Sequence, residues 1–151
     1  MLSNVPSSDY ILVVDDDPDA REILADIVQA LGLEVRIAAD GEQALEIAFQ
    51  SPPALVLLDI MMPKLNGLSV VAKLYSSRRT RNVPVILISA NTPNEKMLLT
   101  LPNVVGVSPK ASFTIDSMML TIARALHLEA HIPLLELNVP WGTPQRRGAP
   151  A

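Results

Sequence analysis

Five side chains of this sequence, Asp15, Asp16, Asp59, Ser89 and Lys110, are of the types needed to handle a phosphoryl group, and each falls at or just past the end of an apolar run. Three carboxylates gathered at one place would repel one another unless a cation stood among them. Hard oxygen ligands, in a chain with no cysteine and no paired histidines, select Mg²⁺ or a similar ion. Mg²⁺ keeps several waters and commonly links a few carboxylates to a phosphate, so a phosphoryl ligand is implied. A serine hydroxyl can hydrogen-bond one phosphoryl oxygen and a lysine ammonium can neutralise another, leaving Asp59 as the nucleophile. Each residue also has a plainer reading: Asp15 to Asp17 ahead of Pro18 as helix capping, Asp59 and Ser89 as turn residues, Lys110 as a surface charge. Run ends that supply every required group make joint coincidence the weaker account.

Positioning these groups requires strands that end at one edge. The apolar runs 10–14, 33–38, 55–58, 83–88 and 104–107 read as strands, and 55–58 has the continuous Leu/Val character of a parallel strand covered on both faces. Between them lie helical patterns. Asp17 and Pro18 open the first, with Ala20, Ile23, Leu24, Ile27 and Leu31 at helical spacing and Gly32 as its C-cap. Asp40 and Gln43 suggest a capping box for the second, with Ala44, Leu45, Ile47 and Ala48 inward. A third spans 67–75, and 76–82 forms a charged loop whose Arg78, Arg79 and Arg81 are read as solvated. The fourth is short, 94–100, held between Pro93 and Pro102 with Met97 and Leu98 as its apolar contacts; the last runs over 113–128. Strict alternation of strand and helix demands a parallel sheet with helices on both sides, and in such sheets ligands bind beyond the strand C-termini.

With 151 residues, 49% of them hydrophobic, the chain suits a single core, and a net charge of −4 disfavours nucleic-acid binding through a broad basic surface. No stretch is long enough to span a bilayer and the N-terminus lacks signal-peptide character, so a soluble, cytoplasmic protein is expected. Residues 1–9 read as a leader, 10–128 as the domain and 129–151 as a Pro-rich tail. In that tail Leu134, Leu135, Leu137 and Trp141 are apolar enough to dock on the domain or on a second chain as a homodimer; docking and disorder both stay open. His127 and His131 fall away from the strand-end groups and read as surface or packing residues.

The blocks 11–18, 57–63 with Gly67, 88–90 and 109–110 closely resemble the signature blocks of response-regulator receiver domains, over about residues 10–128. The resemblance implies a flavodoxin-like (βα)5 fold with strand order 2-1-3-4-5, and a single-domain response regulator of two-component signalling. It further implies phosphorylation of Asp59 by a sensor histidine kinase or histidine phosphotransfer protein. Asp16, Asp59 and the Met61 backbone carbonyl would bind Mg²⁺ directly, Asp15 through water, with Ser89 and Lys110 holding the phosphoryl group. Catalysis would be confined to the chain's own aspartyl phosphorylation and dephosphorylation, and output would pass through contact with a downstream protein. Three departures stand out: Val107 where receivers usually carry Tyr or Phe, Ala111 where a proline usually follows the lysine, and a clipped fourth helix. Two other readings compete. A haloacid-dehalogenase-like phosphatase also uses a strand-end aspartate, but wants a second acid where this chain has Met61; a receiver-like interaction module that no longer switches would not need the full set of groups.

Overall fold

The structure is a computed structural model and describes residues 10–90, 94–111 and 113–127. The expected leader, the tail, His131 and residues 91–93 lie outside the described residues. Five strands, β1 (Tyr10–Val14), β2 (Glu34–Ala38), β3 (Leu55–Asp59), β4 (Val85–Ser89) and β5 (Val104–Pro109), alternate with α1 (Pro18–Ala30), α2 (Gly41–Gln50), α3 (Gly67–Ser76), α4 (Glu95–Leu98) and α5 (Ile115–Ala125). All pairings are parallel and the sheet order is β2-β1-β3-β4-β5, the flavodoxin-like arrangement expected from the sequence.

Period-two alternation sorts the central strands onto two cores. Tyr10, Leu12 and Val14 of β1, Val56 and Leu58 of β3, and Val85 and Leu87 of β4 face α2 and α3. Ile11, Val13, Leu55, Leu57, Ile86 and Ile88 face α1 and α5. Both faces being covered, β1, β3 and β4 are buried along their whole length, whereas the outer strands β2 and β5 are only partly so. Burying Asp59 at the tip of the middle strand is therefore a consequence of topology, not of its own chemistry.

Helix ends follow local chemistry. Asp17 caps α1 by accepting from the Asp19 amide, Pro18 sits in its first turn, and Gly32 takes φ of 79° just beyond the cap residue Leu31. Asp40 accepts from the Gln43 amide, while the Gln43 side chain accepts from Ala39 and not from Asp40, so the reciprocal box is displaced by one residue. Thr114 and Ser117 form a full capping box on α5.

Several expected details differ. Ile23 is half exposed while Val28 is buried, so the inward stripe of α1 runs through Leu24, Ile27 and Val28. Met97 points outward, and Leu98 and Leu101 make the apolar contacts of the α4 region. β5 extends two residues further than its apolar run, because Ser108 and Pro109 pair with Ile88 and Ser89. α5 stops at Ala125 instead of 128, His127 taking φ of 59° where glycine would be usual. The loop arginines are exposed, but Arg79 donates to the carbonyl of Gln50 and Arg81 to that of Tyr75, at the last turns of α2 and α3 where cations are favoured. No peptide bond of the described residues is cis, Lys110–Ala111 included.

Candidate functional site

The C-termini of β1, β3, β4 and β5 bring the five predicted side chains to one edge. Asp15 continues β1, its amide donating to Ala38, and Asp16 is the exposed member of the pair. Asp59 ends β3 and Ser89 ends β4, while Lys110 follows β5 with its amide donating 2.7 Å to the Ser89 carbonyl. Asp15, Asp59 and Ser89 are each at most 2% exposed.

Carboxylate oxygens of Asp15, Asp16 and Asp59 lie within 4.8 Å of one another. Lys110 Nζ stands 2.9 Å from Asp15 Oδ2 and 3.5 Å from Asp59 Oδ2. Its hydrogen bonds go to Asp15 Oδ1 at 3.2 Å and to Asp59 Oδ2 at 3.5 Å, so the buried Asp15 Oδ2 has Coulombic contact without a donor in hydrogen-bond geometry among the described residues. One ammonium thus faces more negative charge than it can offset. Burial first, and then the charge of Asp15, push Asp59 up to about 6, against the opposing pull of Lys110 and the Met61 amide. Burial disfavours the charge on Lys110, but its bonds and Coulombic attraction to Asp15 and Asp59 outweigh this and raise its pKa. An all-oxygen cluster with surplus negative charge fits a hard divalent cation such as Mg²⁺. Met61, whose backbone carbonyl the sequence resemblance assigns to the metal, follows two residues after Asp59 and donates its amide to Asp59 Oδ1 at 3.3 Å.

Three supporting residues escape a reading of strand ends alone. Arg21, one turn into α1, donates through Nη1 to the Asp15 carbonyl at 2.9 Å, and the Asp17 amide donates to Asp15 Oδ1. Both hold the acidic loop from behind. An arginine four residues after an N-cap aspartate was the available signal. Gly67 opens α3 directly against the Asp59 backbone: a Cβ there would lie 2.5 Å from the Asp59 carbonyl oxygen and 2.8 Å from Ile60 Cα. Its amide donates to Ile60, closing the loop that carries Met61. Val107 lies half-buried in β5 and packs on the α2–α3 side of the core, paired with Leu87.

The family model described as "Response regulator receiver domain" matches residues 11–103. The chain belongs to the response regulator receiver domain family of two-component systems. It is 45% identical over 80 residues to the probable transcriptional regulator ycf27 of Porphyridium aerugineum, covering 53% of this chain and 32% of that protein. It is 38% identical over 91 residues to the DNA-binding response regulator MtrA of Mycolicibacterium smegmatis, covering 60% of this chain and 39% of that protein. The matched part of the chain thus spans 32–39% of the length of these relatives. Among solved structures it resembles the chemotaxis protein CheY4 of Vibrio cholerae, with a TM-score of 0.72 and 26% identity over 80% of this chain and 100% of that one. It also resembles the response regulator TrrA of Thermotoga maritima in complex with Mg²⁺-BeF, with a TM-score of 0.69 and 32% identity over 78% of this chain and 98% of that one. Membership of this family sets aside the haloacid-dehalogenase-like alternative, which also lacks its second acid at the exposed Met61. No helix of the described residues is long and apolar enough to cross a membrane.

Proposed function

We propose that this chain is a phosphoacceptor that takes a phosphoryl group on Asp59 from a sensor histidine kinase or histidine phosphotransfer protein. The carrying observation is the convergence of three carboxylates and one lysine on the tip of the central strand, with Asp15 and Asp59 buried. A carboxylate oxygen of Asp59 attacks phosphorus, the bond to the donor's leaving atom breaks, and the donor takes that electron pair and later a proton. An aspartyl phosphate results. Lys110 follows the developing charge on the transferred group, and the Ser89 hydroxyl, at the end of the neighbouring strand, is within the same edge to hydrogen-bond it. Asp15 and Asp16, with Asp59 and the Met61 carbonyl, would hold Mg²⁺, which when bound neutralises the carboxylates and the phosphoryl oxygens. A cytoplasmic setting and a downstream protein partner belong to this reading. A nucleic-acid contact does not, although MtrA is by name DNA-binding. The intact set of groups favours a switching chain over an inert interaction module.

Incubation with acetyl phosphate and Mg²⁺, followed by intact mass measurement, should add one phosphoryl group, and the same incubation with a chelator should add none. Equal labelling in both would remove the divalent cation from the mechanism.

Val107 shapes how the modified state is reported. Valine has one stiff χ1 and no ring to swing between exposed and buried positions, and here it is already packed on the core. A signal leaving Ser89 must instead travel through the backbone after β4 and the four-residue α4. Amide chemical-shift changes on adding beryllofluoride, a phosphoryl mimic, should therefore concentrate between Ser89 and Thr100. Changes centred on Val107 and α5, with that segment silent, would refute this route.

A further inference from the structure

On the face of the sheet opposite α1 and α5, a groove of about 370 Å³ opens between α3 and the α4–β5 connection. Its walls are apolar, and three of its lining side chains, Leu68, Tyr75 and Met97, are 40–63% exposed. Asn103 lies in the same lining, only 5% exposed. Its Nδ2 donates to the Val71 carbonyl at 3.4 Å, but its Oδ1 is buried with no donor among the described residues. An unsatisfied buried acceptor is costly, and a small turn of the Asn103 side chain would open Oδ1 to the groove, where an occupant that brings one N–H would satisfy it. That specification describes an indole, which has a large apolar body and a donor-only nitrogen.

The chain contains a single tryptophan, Trp141, in a segment that also carries Leu134, Leu135 and Leu137. We propose that the α3–α4 groove is the docking site of the chain's own segment 132–141, with the Trp141 indole seated between α3 and α4 and its N–H donating to Asn103 Oδ1. Because every strand is parallel, α3, the α4–β5 connection and α5 all return to the edge where the strands begin. The segment therefore leaves α5 at the end of the molecule where Tyr75, Pro102 and Asn103 line the groove. Passing from one helix layer to the other is a path of roughly 20–30 Å. The 14 residues from 128 to 141 reach about 46 Å when extended, enough to go round the sheet with slack. This reading stands independently of phosphorylation, since it rests on no residue of the carboxylate edge.

Tryptophan fluorescence of the full chain tests it, because there is one reporter. The expected emission is blue-shifted and shielded from acrylamide, and independent of protein concentration. Ala72→Glu and, separately, Leu68→Lys place a charge in the groove at exposed positions of α3. Each should red-shift the emission to that of the urea-unfolded chain and accelerate exchange of the indole N–H, with circular dichroism unchanged. Solvent-like emission from the unsubstituted chain would overturn the proposal, as would shielding that survives both substitutions. Shielding that disappears on dilution would also overturn it, assigning the groove to a second copy.

Discussion

Without divalent cation, Asp59→Asn is expected to stabilise the folded chain by roughly 3 kcal/mol at about pH 7, a gain from removing the supposed centre of the site. Asp59 is buried beside Asp15, and its pKa is raised from 3.8 to about 6. A raised carboxyl binds its proton more tightly when folded, so its contribution favours folding below about pH 4 and is lost as pH rises through about 6. At about 1.36 kcal/mol per pKa unit, that loss has the size given above. Urea unfolding of both chains from acid to neutral pH should show curves that diverge between about pH 4 and 6 and run parallel above. Curves parallel throughout would mean that Asp59 ionises without penalty and that the carboxylate cluster is not under electrostatic stress. Asparagine preserves the shape and can still accept from the Met61 amide through Oδ1, but its Nδ2 cannot accept from Lys110, so the comparison reads the carboxylate charge net of that one bond.

Lys110→Ala should move stability the other way and by a similar amount. The ammonium is the only cation within ion-pair distance of Asp15 and Asp59 among the described residues. Breaking a buried pair leaves an uncompensated charge and costs about 3–5 kcal/mol; the lower end applies here, the lysine side chain being 25% exposed. Added Mg²⁺ should recover most of the loss, because a divalent ion among the same oxygens supplies the missing positive charge. In the Asp59→Asn background the cost should shrink, the two changes sharing one electrostatic network. An equal loss of stability with and without Mg²⁺ would show that Lys110 acts through packing alone.

The sequence alone assigns Lys110 to the phosphoryl group, and its ion pairs to Asp15 and Asp59 are visible only in the fold. Strand ends and their order were legible because β1, β3 and β4 are apolar throughout and stop at polar residues. What a linear reading cannot supply is which carboxylate meets the ammonium, or how deeply each is buried, since those depend on strand neighbours up to 95 positions away. Helix faces were legible only in part. Ile23 and Met97 fit the apolar spacing yet face outward, because α1 presents Val28 to the sheet in place of Ile23 and α4 is too short for its pattern to fix an orientation. The end of α5 was misplaced because its stop is made by His127 at positive φ, a role that sequence patterns assign to glycine or asparagine. Gly67 stood in the recognised block, but its reason, contact with the Asp59 carbonyl, is visible only in three dimensions.

The central claim is that Asp59, among three clustered carboxylates, is the residue that accepts the phosphoryl group. An acyl phosphate is reduced by borohydride to the alcohol, so a phosphorylated aspartate becomes homoserine while free carboxylates are untouched. The chain should be treated with acetyl phosphate and Mg²⁺, reduced, digested and mapped by mass spectrometry. Homoserine is expected at position 59 alone, and at no position when Mg²⁺ is chelated. Homoserine at Asp15 or Asp16, or none at position 59 in a chain that has gained a phosphoryl group, would contradict it.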